Sequence, residues 1–460
     1  MLTAAAIAAA VGGHIRSGSP DQVIDGFSID SRTLAPGDLF FAIVAARDGH
    51  EFVANAFGRG AVGAVVEEGK ANGTSGLLIE VANTTEALQA LGQHVRRASR
   101  AMVIAITGSA GKTTTKETIA EFLSVKYDVV KNRGNLNNHL GLPLSLLELR
   151  RGADVAVMEL GMNHAGEIRL LVSLAEPEVR VWTNVGDAHL GYFESQDAIA
   201  DAKAEILEHA TAANLLIANA DDPRVMARVA GFAGRVVTFG ESAHADVRAE
   251  RVEDLGIDGM RARVHTGKGA ADLRVPLLGR GNLANVLAAT AVATEMSVGL
   301  EHIAARAARL TPAHHRGSVV RLARNITVVD DSYNSSPSAL RKALDVIGRE
   351  QRAGRKAAVL GEMLELGEHS TRLHQECGRA AAAAGLDRLI TVGGEPAKAL
   401  ADAAIAAGMK RDAVSWSNTS SAAADAITSW LSEGDLVLVK GSRGIKTDAV
   451  VDRITAEFAG

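Results

Sequence analysis

One cysteine, Cys377, is all the thiol this 460-residue chain has, so neither an intramolecular disulfide nor a multi-cysteine zinc site can form. A reducing, cytoplasmic setting is the expectation. Aromatic residues are scarce at 3%, and 49 basic against 54 acidic side chains leave a net charge of −5. Stacking platforms and a basic footprint are both missing, which argues against binding bulk DNA or RNA. No uninterrupted apolar run approaches the roughly 20 residues of a membrane span. The apolar opening over residues 4–11 has no positive charge ahead of it and is stopped by Gly12 and Gly13. It reads as a short helix starting near Thr3, not as a secretory leader. With 47% hydrophobic and 22% charged residues the chain lies outside the disordered range and is expected to fold throughout as a soluble protein.

The length exceeds what one core usually organises, and changes of pattern divide the chain at residues 1–99, 100–312 and 313–460. In the first part short apolar runs (39–44, 61–66, 77–81) lead to a helical pattern over 85–98, a small α/β unit. The second opens on a continuous apolar strand, 102–107, followed by a glycine-bearing loop and a helix over 112–125. Further strands are expected at 154–158, 179–183, 215–218 and 236–239, the βαβ alternation of a mostly parallel sheet. Residues 245–278 alternate without a long helix, as an antiparallel insertion or edge would. Helices at 282–296 and 301–309 then reach Thr311-Pro312, the next boundary. The third part repeats strand and helix through 326–329, 357–360, 389–392 and 436–439, a doubly wound, Rossmann-like α/β arrangement. Three α/β domains are expected.

The segment Thr107-Gly108-Ser109-Ala110-Gly111-Lys112-Thr113 joins the strand at 102–107 to a helix, and places backbone N–H groups, an ammonium and a hydroxyl around one anion-sized space. A nucleoside triphosphate suits it, with Lys112 reaching the β and γ phosphates and Thr113 ligating Mg²⁺. The first glycine of the usual phosphate loop is lacking: that position is Ile106. An ordinary turn is the alternative. Glu159, where the apolar run 154–158 gives out, would sit at the carboxyl edge of a strand beside this loop and complete a hard oxygen set for Mg²⁺; a helix-capping role is its rival. Lys440-Gly-Ser442-Arg443 likewise follows a strand and suits an anion, unless it is a plain basic turn.

The compact form Thr-Gly-x-x-Gly-Lys-Thr-Thr, ending at Thr114, resembles the Mur ligase family, and further segments of that family stand in order along nearly the whole chain. They are Ser28-Ile-Asp30-Ser31-Arg32-Thr-Leu-Ala-Pro-Gly-Asp-Leu-Phe-Phe-Ala42, Gly134-Asn-Leu-Asn-Asn138-His-Leu-Gly-Leu-Pro143, Glu159-Leu-Gly-Met-Asn-His-Ala-Gly-Glu-Ile168, Asp330-Asp331-Ser-Tyr-Asn334 and Lys440-Gly-Ser-Arg443. Within the family they are most similar to the branch that joins D-alanyl-D-alanine to UDP-N-acetylmuramoyl-tripeptide. The resemblance implies an ATP- and Mg²⁺-dependent ligase of peptidoglycan synthesis, working through an acyl phosphate; a monomer is the expectation. It also implies roles for single residues. His189 and Lys203, fourteen residues apart, would hold a second Mg²⁺, with Lys203 carbamylated; from the residues alone, Lys203 could instead pair with Glu205 or Glu208 at the surface or touch phosphate directly. Asn138 would meet phosphate or the reacting carboxylate, against a simple turn cluster of Asn135, Asn137 and Asn138.

By the same resemblance Asn282 would meet adenine, with an N-cap asparagine as the rival reading. Arg316 would meet phosphate and Asp331 ribose, both brought in by closure of the third domain. Asp30, Ser31 and Arg32 would bind the uridine nucleotide, although Arg32 could make only a surface ion pair. Asn334, Lys440, Ser442 and Arg443 would take the dipeptide carboxylate or the acyl phosphate. The segment Val44-Ala-Ala-Arg-Asp-Gly-His50 departs from the family pattern by lacking a Lys-Gly and one residue, and roles for Glu362 and Cys377 stay open. Two other functions remain: a sister Mur ligase adding a single amino acid, and a P-loop ATPase that hydrolyses nucleotide only to change shape or bind a partner.

Overall fold

The computed structural model describes residues 2–70, 76–188 and 190–459. Among them the strands form three larger sheets and one two-stranded ribbon, Leu2–Thr3 with Val23–Ile24. The first sheet runs His14–Ser17, Leu77–Val81, Gly63–Glu67, Asp38–Phe41, Gly26–Ser28, parallel after its first pair. The opening helix is Ala4–Ala10, starting where the sequence suggests, and the Thr3 side chain caps it.

The central sheet has the spatial order Gly269–Val275, Met260–Thr266, Val247–Asp254, Arg235–Gly240, Leu215–Asn219, Val179–Trp182, Met102–Thr107, Val155–Glu159, Val129–Lys131. The first two joins are antiparallel, the expected insertion, and the rest are parallel. Met102–Thr107 is apolar without interruption because both of its faces are covered: Val103 and Ala105 enter one core cluster, Ile104 and Ile106 the other. The chain leaves this strand towards Val155–Glu159 on one side and later returns to Val179–Trp182 on the other. This reversal opens a crevice at the carboxyl ends of all three strands, where ligands bind in sheets of this kind.

One core cluster is shared between the first sheet and a face of the central one, joined by the helix Thr84–Ala98 through Leu88, Leu91 and Val95. The helix approaches so closely that a Cβ on Gly92 would lie 2.9 Å from Pro143 Cα, in the helix Gly141–Leu146. On the opposite face the helix Gly279–Glu295 is buried nearly all round, between the sheet and the helix Lys112–Leu123. Its run of small residues allows that close layering. The third sheet is Ser318–Arg321, Thr327–Asp331, Leu436–Lys440, Lys356–Gly361, Arg388–Val392, Val414–Ser417, parallel after its first pair. It has its own core on each face.

Several boundaries differ from the expectation. The strands Val129–Lys131, Ser318–Arg321 and Val414–Ser417 carry no continuous apolar signal, since each lies at a sheet edge and leaves residues exposed or half-buried. The long central helix starts at Gly279, with Leu278 as N-cap, which places Asn282 inside its first turn and removes the N-cap reading for that residue. Substituting Gly92 with valine is expected to lower stability by roughly 1–3 kcal/mol, because the new side chain meets backbone that cannot yield. Urea unfolding with unchanged m-value would register the loss; a wild-type midpoint would contradict the packing described.

Candidate functional site

The phosphate loop is held from behind by the residues that follow the next strand. Thr183 Oγ1 donates to Ala110 O (2.8 Å), Asn184 Nδ2 donates to the same oxygen (2.9 Å), and Asn184 Oδ1 accepts the Ala110 N–H (2.9 Å). The Ser109 N–H donates to Asn184 O at 3.0 Å, and Gly186 N–H donates to Ser109 Oγ at 2.8 Å. Two glycines are obligatory. Gly108 has φ +149°, and a Cβ there would come within 1.9 Å of Thr183 Oγ1; Gly111 has φ +84°, and its Cβ would come within 2.2 Å of Asn285 Oδ1. Asn285 in turn donates to Asn282 Oδ1 (3.2 Å), while Asn282 Nδ2 donates to Leu278 O (2.9 Å). Loop and long helix are thus keyed together. The missing first glycine has no structural consequence: Ile106 is a core residue of the strand.

Glu159 and Thr113 meet as the sequence suggests. Thr113 Oγ1 donates to Glu159 Oε2 at 2.9 Å, and Asn137 Nδ2 donates to Oε1 at 2.9 Å. Glu159 caps no helix; it is the last residue of its strand, level with Ile106 of the neighbouring one, and only 4% exposed. Asn132, buried behind it, clamps its backbone by accepting the Glu159 N–H (3.0 Å) and donating to the Glu159 carbonyl (3.1 Å). Lys116 Nζ donates to Asn132 O at 2.8 Å and completes that support.

Asn138 lies apart from this contact. Its Oδ1 accepts the N–H groups of Leu140 (3.2 Å) and Gly141 (2.8 Å) and so starts the helix Gly141–Leu146, leaving Asn137 as the amide on the carboxylate. The two neighbours differ by one position in a loop, a distinction that local composition does not carry.

Two lysines share the crevice. Lys112 Nζ donates back to Gly108 O (2.7 Å); burial and the Arg316 charge push its pKa down while Glu159 pulls it up, burial being the largest effect. Lys203, in the helix Gln196–Ala204, is 1% exposed and has no ion pair among the described residues. Burial, with the Lys112 charge adding to it, drives its pKa well below the ordinary lysine value. The surface-pair reading fails, because Glu205 accepts the Gly166 and Arg169 N–H groups and Glu208 is paired with the Arg169 side chain. His189 lies outside the described residues.

The third sheet contributes the opposite wall. The Arg316 guanidinium stacks over the Tyr333 ring at 4.1 Å, and Arg443 approaches the same ring at 5.6 Å. Asp331 accepts from Lys440 Nζ at 2.6 Å, and Lys440, 3% exposed, also donates to Asn334 O at 2.9 Å. Two residues assigned to different substrates by resemblance are therefore partners of each other. Asn334 Oδ1 accepts the Ser335 N–H, Ser442 Oγ accepts the Leu364 N–H, and Arg443 stays two-thirds exposed near Asp448. Glu362 accepts the Gly394 N–H at 2.7 Å, ahead of the helix Glu395–Ala406. Cys377 is buried beside Pro337 O, and burial raises its thiol to about 12, so it is inert. The central loop docks here through Asp187 with Arg341 (3.2 Å) and the Gly191 N–H to Glu365 O (2.8 Å).

In the first sheet's region Arg32 and Asp30 form a two-point ion pair at 2.9 and 2.8 Å, with Arg32 80% exposed and Asp30 lowered to about 2 by that bond. Ser31 is buried beneath them. The shortened segment at residues 44–50 closes on itself: Val44 bridges Asp48, and His50 Nε2 accepts the Glu67 N–H (2.9 Å), which leaves Nδ1 to donate to Asp48. Gly111→Ala is expected to abolish measurable ATP binding by calorimetry while far-ultraviolet circular dichroism stays native, because φ and Asn285 both exclude a methyl group. Retained affinity would show that the loop has another workable shape.

The described geometry agrees with what the chain resembles. The Mur ligase middle domain matches residues 106–293, and the Mur ligase, glutamate ligase domain matches residues 315–443. The UDP-N-acetylmuramoyl-tripeptide–D-alanyl-D-alanine ligase of Bacillus subtilis is 33% identical over 93% of this chain and 93% of its own length; that of Escherichia coli is 35% identical over 81% and 82%. A crystal structure of MurF from Acinetobacter baumannii superposes with a TM-score of 0.89 at 33% identity, covering 99% of this chain and 98% of that one. MurF ligase from Thermotoga maritima in complex with ADP gives 0.82 at 28%, covering 95% and 99%. On these matches the chain belongs to the Mur ligase family.

Proposed function

We propose that this chain uses ATP to join the terminal carboxylate of UDP-N-acetylmuramoyl-tripeptide to the amine of D-alanyl-D-alanine in peptidoglycan precursor synthesis, in the cytoplasm. The observation that carries the reading is the Thr113 hydroxyl on the buried Glu159 carboxylate, at the carboxyl ends of adjacent strands and beside Lys112. Residues 1–99 would hold the uridine nucleotide, 100–312 the ATP, and 313–460 would complete the ATP and dipeptide sites.

A tripeptide carboxylate oxygen attacks the γ-phosphorus, and ADP leaves. The resulting acyl phosphate is attacked at its carbonyl carbon by the neutral dipeptide amine, and phosphate leaves. Neither step needs a protein nucleophile, so the chain's work is to hold the reactants in line and offset charge. The loop from Thr107 to Thr114 holds the phosphates, with Lys112 exchanging the Gly108 carbonyl for a phosphate oxygen. Beside it a cleft of about 810 Å³, lined by Thr114, Glu117 and Thr118 and by residues 309–314, offers room for part of the nucleotide, and Asn282 would meet the adenine. Arg316 faces the phosphates and Asp331 the ribose, while Lys440, Ser442, Arg443 and Asn334 receive the dipeptide. Asp30, Ser31 and Arg32 take the uridine end.

Thr113 and Glu159 present hard oxygen donors that suit Mg²⁺, and His189 with a carbamylated Lys203 would hold a second ion; bound there, Mg²⁺ offsets phosphate charge. The chain's own contribution to that second site is a buried lysine amine whose pKa burial drives well below the ordinary lysine value, which favours the neutral form that reacts with CO₂. With ¹³C-bicarbonate, a carbamate carbonyl resonance is expected in the wild type and not in Lys203→Ala, which also loses activity. No resonance together with a fully active Lys203→Ala would refute the modification.

Phosphate release with UDP-muramoyl-tripeptide is expected on adding D-alanyl-D-alanine and not on adding single amino acids. Lys112→Ala and Glu159→Ala are expected to lower it by roughly 10²–10³ or more without unfolding. Release driven by a single amino acid would identify a sister ligase, and release independent of any amine a nucleotide switch.

A further inference from the structure

The turn that leads into the third sheet holds a residue in a conformation that suits glycine. Ala313 to Arg316 form a turn closed by the Arg316 N–H on Ala313 O at 3.0 Å, and its third residue, His315, has φ +59°. Glycine or asparagine is the usual occupant of such a position. His315 is held there by its side chain and its backbone together. Its Nδ1 lies 2.6 Å from Asp330 Oδ2, and its carbonyl accepts the Tyr333 N–H at 3.0 Å. The neighbouring Gly317 N–H donates to Asp330 O at 2.8 Å. Asp330 is itself fixed: it is 5% exposed, and its other carboxylate oxygen accepts from Ser332 N (3.2 Å) and Ser332 Oγ (2.6 Å). Arg316 leaves the turn directly over the Tyr333 ring, on the side that brings its charge to bear on Lys112.

We infer that His315 is a positioning residue for the nucleotide: its imidazole, anchored on Asp330, sets the direction in which Arg316 projects towards the phosphates. The inference rests on the ATP-ligase reading only in naming the ligand. A histidine retained merely for its backbone would be replaceable by glycine, which takes this φ without strain. An anchoring histidine would be replaceable by asparagine, which tolerates the left-handed region and can donate to Asp330.

The test is calorimetric binding of a non-hydrolysable ATP analogue, with kinetics and thermal melting, on His315→Gly, His315→Asn and Asp330→Asn. His315→Gly is expected to keep the melting midpoint within a few degrees, yet weaken the analogue and raise the ATP KM about tenfold, as loss of one charge-assisted bond would, with the dipeptide KM unmoved. His315→Asn is expected to recover affinity to within about threefold of wild type. Wild-type affinity in His315→Gly, or equal weakness in the glycine and asparagine variants, would overturn the inference. Should the glycine variant fail to fold, Asp330→Asn decides: the analogue is expected to weaken at least threefold or so, and an unchanged affinity counts against the anchor. Analogue binding requires no amine acceptor, so a wild type that binds it but forms no amide would refute the ligase reading and leave this one standing.

Discussion

Too much positive charge for one buried carboxylate is the constraint around which the crevice is organised. Lys112 and Arg316 bear on each other, Lys112 bears on Lys203, and Glu159 is the anion that acts on Lys112. Lys203 and Glu159 are buried and Lys112 and Arg316 half-buried, so like-charge repulsion is screened less than at a surface. The chain answers it in two ways: burial lowers the pKa of Lys203, and Lys112 folds back on the Gly108 carbonyl. Lys112 is thereby held ready for a polyanion. A triphosphate offers what the lysines lack, and the hydroxyl and carboxylate of Thr113 and Glu159 stand where a hard cation would accompany it.

Such a crevice is useful only if its walls do not yield, and their rigidity comes mostly from neutral amides. Asn184 holds the phosphate loop at Ser109 and Ala110, Asn132 clamps the backbone of Glu159, Asn137 orients its carboxylate, and Asn285 fills the space that the missing side chain of Gly111 leaves. Each is a donor and an acceptor on one short stem, able to satisfy buried backbone without adding charge where charge is already in excess. The ion pair of Asp331 with Lys440 plays the corresponding part on the opposite wall.

The fold could be read from the sequence where burial is two-sided. Met102–Thr107 and Leu77–Val81 match their apolar runs because every residue in them but Met102 is buried. Edge strands such as Val129–Lys131 could not, since half-exposed residues leave no such run. In the site, the meeting of Thr113 with Glu159 beside Lys112 was legible because a strand end and a glycine loop at a strand end converge in sheets of this kind. Asn184, Asn132 and Asn285 were not, because an asparagine after a strand has the same local appearance whether it holds a catalytic loop or a turn. Asn138 shows the limit: only three-dimensional position separates it from Asn137, the amide that meets Glu159.

Isotope transfer tests the proposed chemistry most directly. With oxygen-18 in the terminal carboxylate of the tripeptide, attack on the γ-phosphate carries one labelled oxygen into the inorganic phosphate released after D-alanyl-D-alanine adds. Labelled phosphate, formed in proportion to the amide product, is the expected result. Unlabelled phosphate accompanying the same amount of product would mean that the carboxylate never bonds to phosphorus, and would contradict the account.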